Sequence, residues 1–214
     1  MHQFEVVGRI AEAGVVAVIR AESADQAARI GDACAEGGIH GLEVTFTVPG
    51  AATAVRELAK RYQGTGVLVG AGTVLDSETA RVAILEGACF VVSPACSAGV
   101  ARLCHRYQVP YIPGAMTSSE IVAAMEEGAA IVKIFPGESL GVEFVKAIRG
   151  PLPQAPLMPS GGVNLKNAGD WIRAGCVAVS AGGMLTAGAK TGDYPSITAI
   201  AKQLVAQVQE ARGR

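Results

Sequence analysis

Eight times along its 214 residues, this chain repeats one unit. A short, almost wholly apolar run gives way to a loop containing Gly, Pro or Thr, then to an Ala-rich segment with helical spacing. The apolar runs are 15–20, 41–46, 67–74, 89–94, 110–114, 131–136, 156–162 and 176–182; the helical segments include 23–36, 51–62 and 197–212. Within the runs apolar residues do not alternate with polar ones. Strands buried on both faces read this way, as the parallel strands of α/β folds do. Eight strand-helix units without a linker, a low-complexity tract or a charge run make residues 1–214 a single domain. The remaining architectures are a closed (β/α)8 barrel and an open doubly wound sheet.

Two features favour the (β/α)8 TIM barrel. Every run ends in polar residues, Gly or Pro, as expected if all eight loops surround one site. A dinucleotide-binding fingerprint is missing, because Gly70-Ala71-Gly72 continues into Thr73 and Val74 without a third Gly at the required offset. Residues 3–13 form an extra N-terminal helix, with Phe4, Val7, Ile10 and Ala11 at helical spacing, that plugs the bottom of the barrel. Glycines 37, 87, 128 and 175 are placed to end helices in the left-handed conformation. Ser23, Asp76, Thr117 and Asn164 are placed to start them.

Charge and composition remove several classes of function. Lys plus Arg number 18 and Asp plus Glu 19, so no basic excess exists to hold a nucleic-acid backbone. No apolar run approaches the ~20 residues of a membrane span, and residues 1–14 lack a signal-peptide core. Five cysteines, odd in number and never spaced as C-x-x-C, read as reduced thiols of a cytoplasmic protein. Three scattered histidines (His2, His40 and His105) make a metal site unexpected.

In a barrel the chemistry sits at the C-terminal strand ends. Lys133 lies within Ala-Ile-Val-Lys-Ile-Phe-Pro (130–136). With period two it shares a face with Ile131 and Phe135, so it points inward if Val132 and Ile134 face the helices. An apolar interior favours the free amine, which is the nucleophile of Schiff-base chemistry on carbonyl substrates. A lysine snorkelling to solvent or paired with a carboxylate fits the same spacing. Glu43, between Leu42 and Val44, is a carboxylate in an apolar strand. It suits a general acid/base, or a buried ion pair with Lys133 or Arg20. Ser160-Gly161-Gly162 and Gly182-Gly183 follow the last two runs, where barrels commonly bind phosphate through backbone N–H groups. Tight turns alone account for them equally well. Thr73 and Arg20 can hold a substrate carboxylate or serve as a turn residue and a surface ion pair. Pro94 and Phe135 can wall an apolar subsite or simply pack.

With these residues in view, the chain resembles the bacterial 2-keto-3-deoxy-6-phosphogluconate / 2-keto-4-hydroxyglutarate aldolases. The resemblance runs through Val-Val-Ala-Val-Ile-Arg (15–20), Glu-Val-Thr-Phe-Thr-Val-Pro (43–49), Val-Gly-Ala-Gly-Thr-Val (69–74) and Val-Ser-Pro (92–94). It continues with Pro-Gly-Ala-Met-Thr (113–117), Val-Lys-Ile-Phe-Pro-Gly (132–137), Pro-Ser-Gly-Gly-Val (159–163) and Gly-Asp-Tyr (192–194). It implies a class I aldolase, metal-free, homotrimeric and without cofactor beyond the covalent lysine imine. The Schiff-base lysine then falls on Lys133, the proton-shuttling glutamate on Glu43 and the carboxylate-holding threonine on Thr73. Pro94 and Phe135 wall the pyruvyl group, and Gly161, Gly162 and Gly182 bind phosphate.

Three positions depart from the family pattern. Where some members carry a carboxylate-holding arginine, this chain has Thr47, and Arg20 is expected to take that role. Ser160 replaces a threonine, and Gly183 stands where a phosphate-contacting serine often does. The expected reaction is cleavage of 2-keto-3-deoxy-6-phosphogluconate to pyruvate and glyceraldehyde 3-phosphate. Three readings stay open beside it. One is the same chemistry on 4-hydroxy-2-oxoglutarate or 2-keto-3-deoxy-6-phosphogalactonate. Another is a metal-free phospho-sugar isomerase or epimerase with Glu43 as base. The last is a phosphate-ligand binder without turnover.

Overall fold

The computed structural model describes residues 3–213; His2 lies outside them. A first helix, α1 (Gln3–Ala13), precedes an alternation of strands and helices. The strands are β1 (Val15–Ile19), β2 (Gly41–Thr45), β3 (Leu68–Gly72), β4 (Val91–Val92), β5 (Tyr111–Ile112), β6 (Gly114–Ala115), β7 (Val132–Ile134), β8 (Leu157–Pro159) and β9 (Val179–Ala181). The helices between and after them are α2 (Ala24–Glu36), α3 (Ala51–Arg61), α4 (Ser77–Leu85), α5 (Ala98–Arg106), α6 (Ser118–Glu126), α7 (Gly137–Arg149), α8 (Ala168–Arg173) and α9 (Tyr194–Ala211).

All strand pairings are parallel. One sheet has the order β5-β4-β3-β2-β1-β9 and the other β6-β7-β8. Eight apolar runs thus become nine strands, because the run at 110–114 divides at Pro113. Proline has no N–H to give a ladder, although the Pro113 carbonyl still accepts from the Lys133 N–H at 2.8 Å. At the other junction Ser160 bridges Ser180, and the Val177 N–H donates to the Leu157 carbonyl. The architecture is α/β, a parallel sheet curled on itself.

The curl creates two cores from one alternation. Val15, Ala17 and Ile19 of β1 pack with helix residues such as Ile30 and Leu58. Val16 instead joins Leu68, Phe90, Val92, Ile112, Ile131 and Met158 in a second, inner cluster. Val6 and Ile10 of α1 complete that inner cluster, each 1% exposed. The N-terminal helix therefore fills the interior through an i, i+4 pair. Phe4, expected on the same stripe, lies about half a turn from Val6 and is 80% exposed.

Local capping follows the sequence with two exceptions. Ser23, Asp76 and Thr117 each accept a backbone N–H of the helix they start, and Thr117 forms a full capping box with Glu120. Asn164 does not start a helix: α8 begins three residues later, behind Asn167, because the Asn164 side chain turns back to the Lys166 N–H. Gly37 has φ −76°, and the left-handed position falls on Gly38. All five cysteines are free thiols. Among the described residues no helix is long and apolar enough to cross a membrane.

If α1 is part of the interior rather than an appendage, Ile10→Ala should cost about 2–5 kcal/mol in urea unfolding. Phe4→Ser should stay within about 0.5 kcal/mol of the parent. Equal, small effects would show that α1 does not contribute to the core.

Candidate active site

Alternation along the strands selects the inward residues. Val132 and Ile134 belong to the outer core, so Lys133 between them points inward. Leu42 and Val44 do the same for Glu43 on β2. The two side chains meet across the interior, with Lys133 Nζ 3.8 Å from Glu43 Oε1. This is close enough for charge attraction and too long for a hydrogen bond. Lys133 is 4% exposed and Glu43 0%.

Neither carboxylate oxygen of Glu43 has a hydrogen-bond partner. Burial raises its pKa above the ordinary 4.5, against the pull of the positive charges on Lys133 and Arg20. Desolvation of the fully buried carboxyl outweighs both cations. A carboxyl in this state exchanges its proton closer to neutrality than a surface carboxyl does. By linkage, ionising it weakens the fold: the stability it contributes is present at low pH and lost as pH rises through its folded-state pKa.

Glycines make the room. Gly72 pairs in register with Thr45, and a Cβ there would collide with the Glu43 carboxylate. Gly114 is the register partner of Lys133, and a Cβ there would collide with the Pro94 carbonyl. Pro94 thereby closes on the strand beside the lysine. Phe135, two residues above Lys133 on the same face, places its ring centroid 5.1 Å from Nζ, within cation–π range.

Above the pair opens a cavity of about 200 Å³. Arg20, Phe135, Ser160, Gly161, Gly162, Gly182 and Gly183 all line it, so the structure brings seven of the predicted site residues to one hollow. Lys133, Glu43, Thr73 and Pro94 do not line it. The first two lie behind its walls, since Phe135 faces Lys133 and Val18, another wall, is the register partner of Glu43. Thr73 follows Gly72 directly and has φ +57°, left-handed for a β-branched residue. Gly161 and Gly162 are left-handed too, at +89° and +71°. Thr47 is exposed, its hydroxyl 2.9 Å from that of Thr45.

Two neighbours of the site carried no sequence signal that was read. Ser180 is fully buried, its hydroxyl has no partner, and it bridges Ser160. Period two from Gly182 would have placed it on the inner face. Glu138, in the first turn of α7, packs against Gly161 and Gly162. A larger hollow of about 790 Å³ lies at the opposite strand ends, lined by Arg9, His40, Tyr62 and Cys89 among others. It holds none of the predicted site residues and no buried ion pair, so size does not mark the chemistry here. Among the described residues no three His, Cys, Asp or Glu side chains gather as a metal site.

Comparison with known proteins gives a consistent answer. Residues 6–200 match the family model described as KDPG and KHG aldolase. The 2-dehydro-3-deoxy-phosphogluconate aldolase of Treponema pallidum is 36% identical over 203 residues, 94% of each chain. The KDPG aldolase of Legionella pneumophila, solved with pyruvate captured as a covalent carbinolamine intermediate, superposes with TM-score 0.85 at 28% identity. The match covers 92% of this chain and 97% of that one. A porous cage designed by fusing symmetric oligomeric domains matches with TM-score 0.86 at 28% identity, over 94% of this chain and 73% of that one.

The Glu43 carboxyl should protonate with a midpoint above 4.5, followed by its infrared C=O band. Removing the opposing cation with Lys133→Met should move that midpoint further up. A midpoint at or below 4.5, or a downward move, would contradict the electrostatics described.

Proposed function

The chain belongs to the KDPG and KHG aldolase family, and from that premise we propose that Lys133 and Glu43 perform its aldol chemistry. The protein is a lyase, a class I aldolase. The buried Lys133–Glu43 pair carries the assignment of roles: an amine nucleophile and a proton-exchanging carboxyl 3.8 Å apart under a substrate-sized hollow. The substrate is 2-keto-3-deoxy-6-phosphogluconate.

Lys133 Nζ attacks the C2 ketone, and loss of water gives an iminium ion. The iminium withdraws electrons from the C3–C4 bond. Glu43, acting through a water, takes the C4 hydroxyl proton as that bond breaks and glyceraldehyde 3-phosphate leaves. The enamine is protonated at C3, and hydrolysis of the imine returns the amine and pyruvate. The imine is the electron sink, so the mechanism assigns no step to a metal or other cofactor.

Arg20 and Thr73 hold the keto-acid carboxylate, Pro94 and Phe135 wall the pyruvyl methylene, and Ser160 faces the substrate hydroxyls. Gly161, Gly162, Gly182 and Gly183 take the phosphate through backbone N–H groups. A second substrate, 4-hydroxy-2-oxoglutarate, is favoured by one observation. Gly183 supplies no side-chain donor, so the phosphate is held less strongly than a serine there would allow. We read the curled sheet as a closed (β/α)8 barrel, one domain over residues 1–214, supported by the Ser160–Ser180 bridge at one seam and the Pro113–Lys133 bond at the other. The working unit is a homotrimer in the cytoplasm. The symmetric oligomeric relative supports the first point, and the odd, unpaired cysteine count the second.

Incubation with pyruvate and sodium borohydride should leave a reduced pyruvyl group on Lys133, located by peptide mass mapping. Its absence from folded protein would remove the Schiff-base assignment. Lys133→Ala should lose nearly all cleavage, whereas Glu43→Gln should still trap pyruvate while kcat falls by about 10²–10⁴. Arg20→Ala should raise the pyruvate KM in the condensation direction; an unchanged KM would remove Arg20 from the carboxylate site.

A further inference from the structure

Thr73 sits in a conformation that its own side chain opposes. A φ of +57° brings a β-branched Cβ against the backbone, and such residues persist only where their surroundings over-determine them. The residue that follows is held at both backbone groups by β4. The Val74 N–H donates to the Val92 carbonyl at 3.2 Å, and the Val74 carbonyl accepts from the Ser93 hydroxyl. Ser93 is itself fixed, 1% exposed, with its N–H donating to the Ile112 carbonyl at 3.1 Å.

Ser93 does not reach the reacting centre directly. Val92 belongs to the inner cluster and Val91 to the outer one, so the alternation turns Ser93 outward with Val91. It lines no part of the hollow above Lys133. Its hydroxyl donates to the carbonyl just beyond Thr73 and also neighbours the Tyr111 hydroxyl, and Thr73 follows the glycine against which the Glu43 carboxylate lies. The Ser93 bond therefore acts on the Thr73 turn from one peptide beyond it, together with the Val74 N–H bond to Val92.

We infer that Ser93 is a positioning residue of the aldolase site: its hydroxyl locks the left-handed turn that aims Thr73 at the keto-acid carboxylate. The inference rests on the reading of Thr73 as a carboxylate contact. It deepens that reading by naming what sets the contact in place.

A double-mutant cycle on the full-length protein tests it, reading pyruvate KM, kcat and thermal unfolding for Ser93→Ala, Thr73→Ala and the double variant. Ser93→Ala should raise pyruvate KM about tenfold, the scale of a misplaced substrate contact, with kcat changed far less. In the Thr73→Ala background the same substitution should change KM less than about twofold, because the group it positions is gone. Equal fold-changes in both backgrounds, or an unchanged KM in Ser93→Ala, would overturn the inference and leave the role of Thr73 standing. An unchanged KM in Thr73→Ala would instead remove the carboxylate reading, and the inference with it. Should Ser93→Ala fail to fold, Ser93→Cys keeps the volume, weakens the donor and carries the same cycle.

Discussion

A lysine and a glutamate buried within 3.8 Å of each other govern the arrangement of this molecule. An ion taken from water into a protein interior costs several kcal/mol even after relaxation, and removing one partner of a buried pair typically costs about 3–5 kcal/mol. Here the attraction is incomplete, since the carboxylate lacks any hydrogen bond and the amine stands beyond hydrogen-bond length. Packing of the surrounding fold must therefore supply the stability that the pair does not. The inner cluster below it, closed by Val6 and Ile10, is apolar throughout and offers neither charge another partner.

The same constraint explains where the glycines fall. An inward side chain at position 72 would occupy the space of the Glu43 carboxylate, and one at 114 would push Pro94 off the strand beside the lysine. Both are glycines on the inner face, beside the buried pair. At 161 and 162 glycine serves a different end, a left-handed turn at the mouth of the hollow. The interior is thus graded along its axis. It is apolar at the α1 end, charged and side-chain-poor in the middle, and open backbone at the top.

This grading sets how much of the molecule is legible in its sequence. Lys133 and Glu43 stood out because a charge in an apolar strand is expensive, and period two fixed their direction. The eight-unit repeat was visible because it is a local pattern renewed along the whole chain. The division of the fifth run at Pro113 was less so, since it depends on which neighbour each half pairs with. The stripe of α1 is set by the interior it enters rather than by helical spacing alone, so Phe4 faces away from it. Ser180 passed unread because a serine in an apolar run carries little signal until a neighbour such as Ser160 is brought against it. Ser93 is hidden more deeply, because its hydroxyl meets a backbone carbonyl 19 residues earlier, beyond the end of the neighbouring strand.

Arg20 ties the polar middle of the curled sheet to its open top. It stands at the end of β1, exposed, lining the hollow, and its charge is among those that lower the pKa of Glu43. In the proposed role it also meets the substrate carboxylate. A carboxylate bound there cancels part of that positive field, so Glu43 holds its proton more tightly with substrate present than without. Arg20 follows β1 and Thr47 follows β2, so the cation stands on the loop neighbouring that of the glutamate strand. In that role the ligand tunes the buried carboxyl from above, as desolvation does from within.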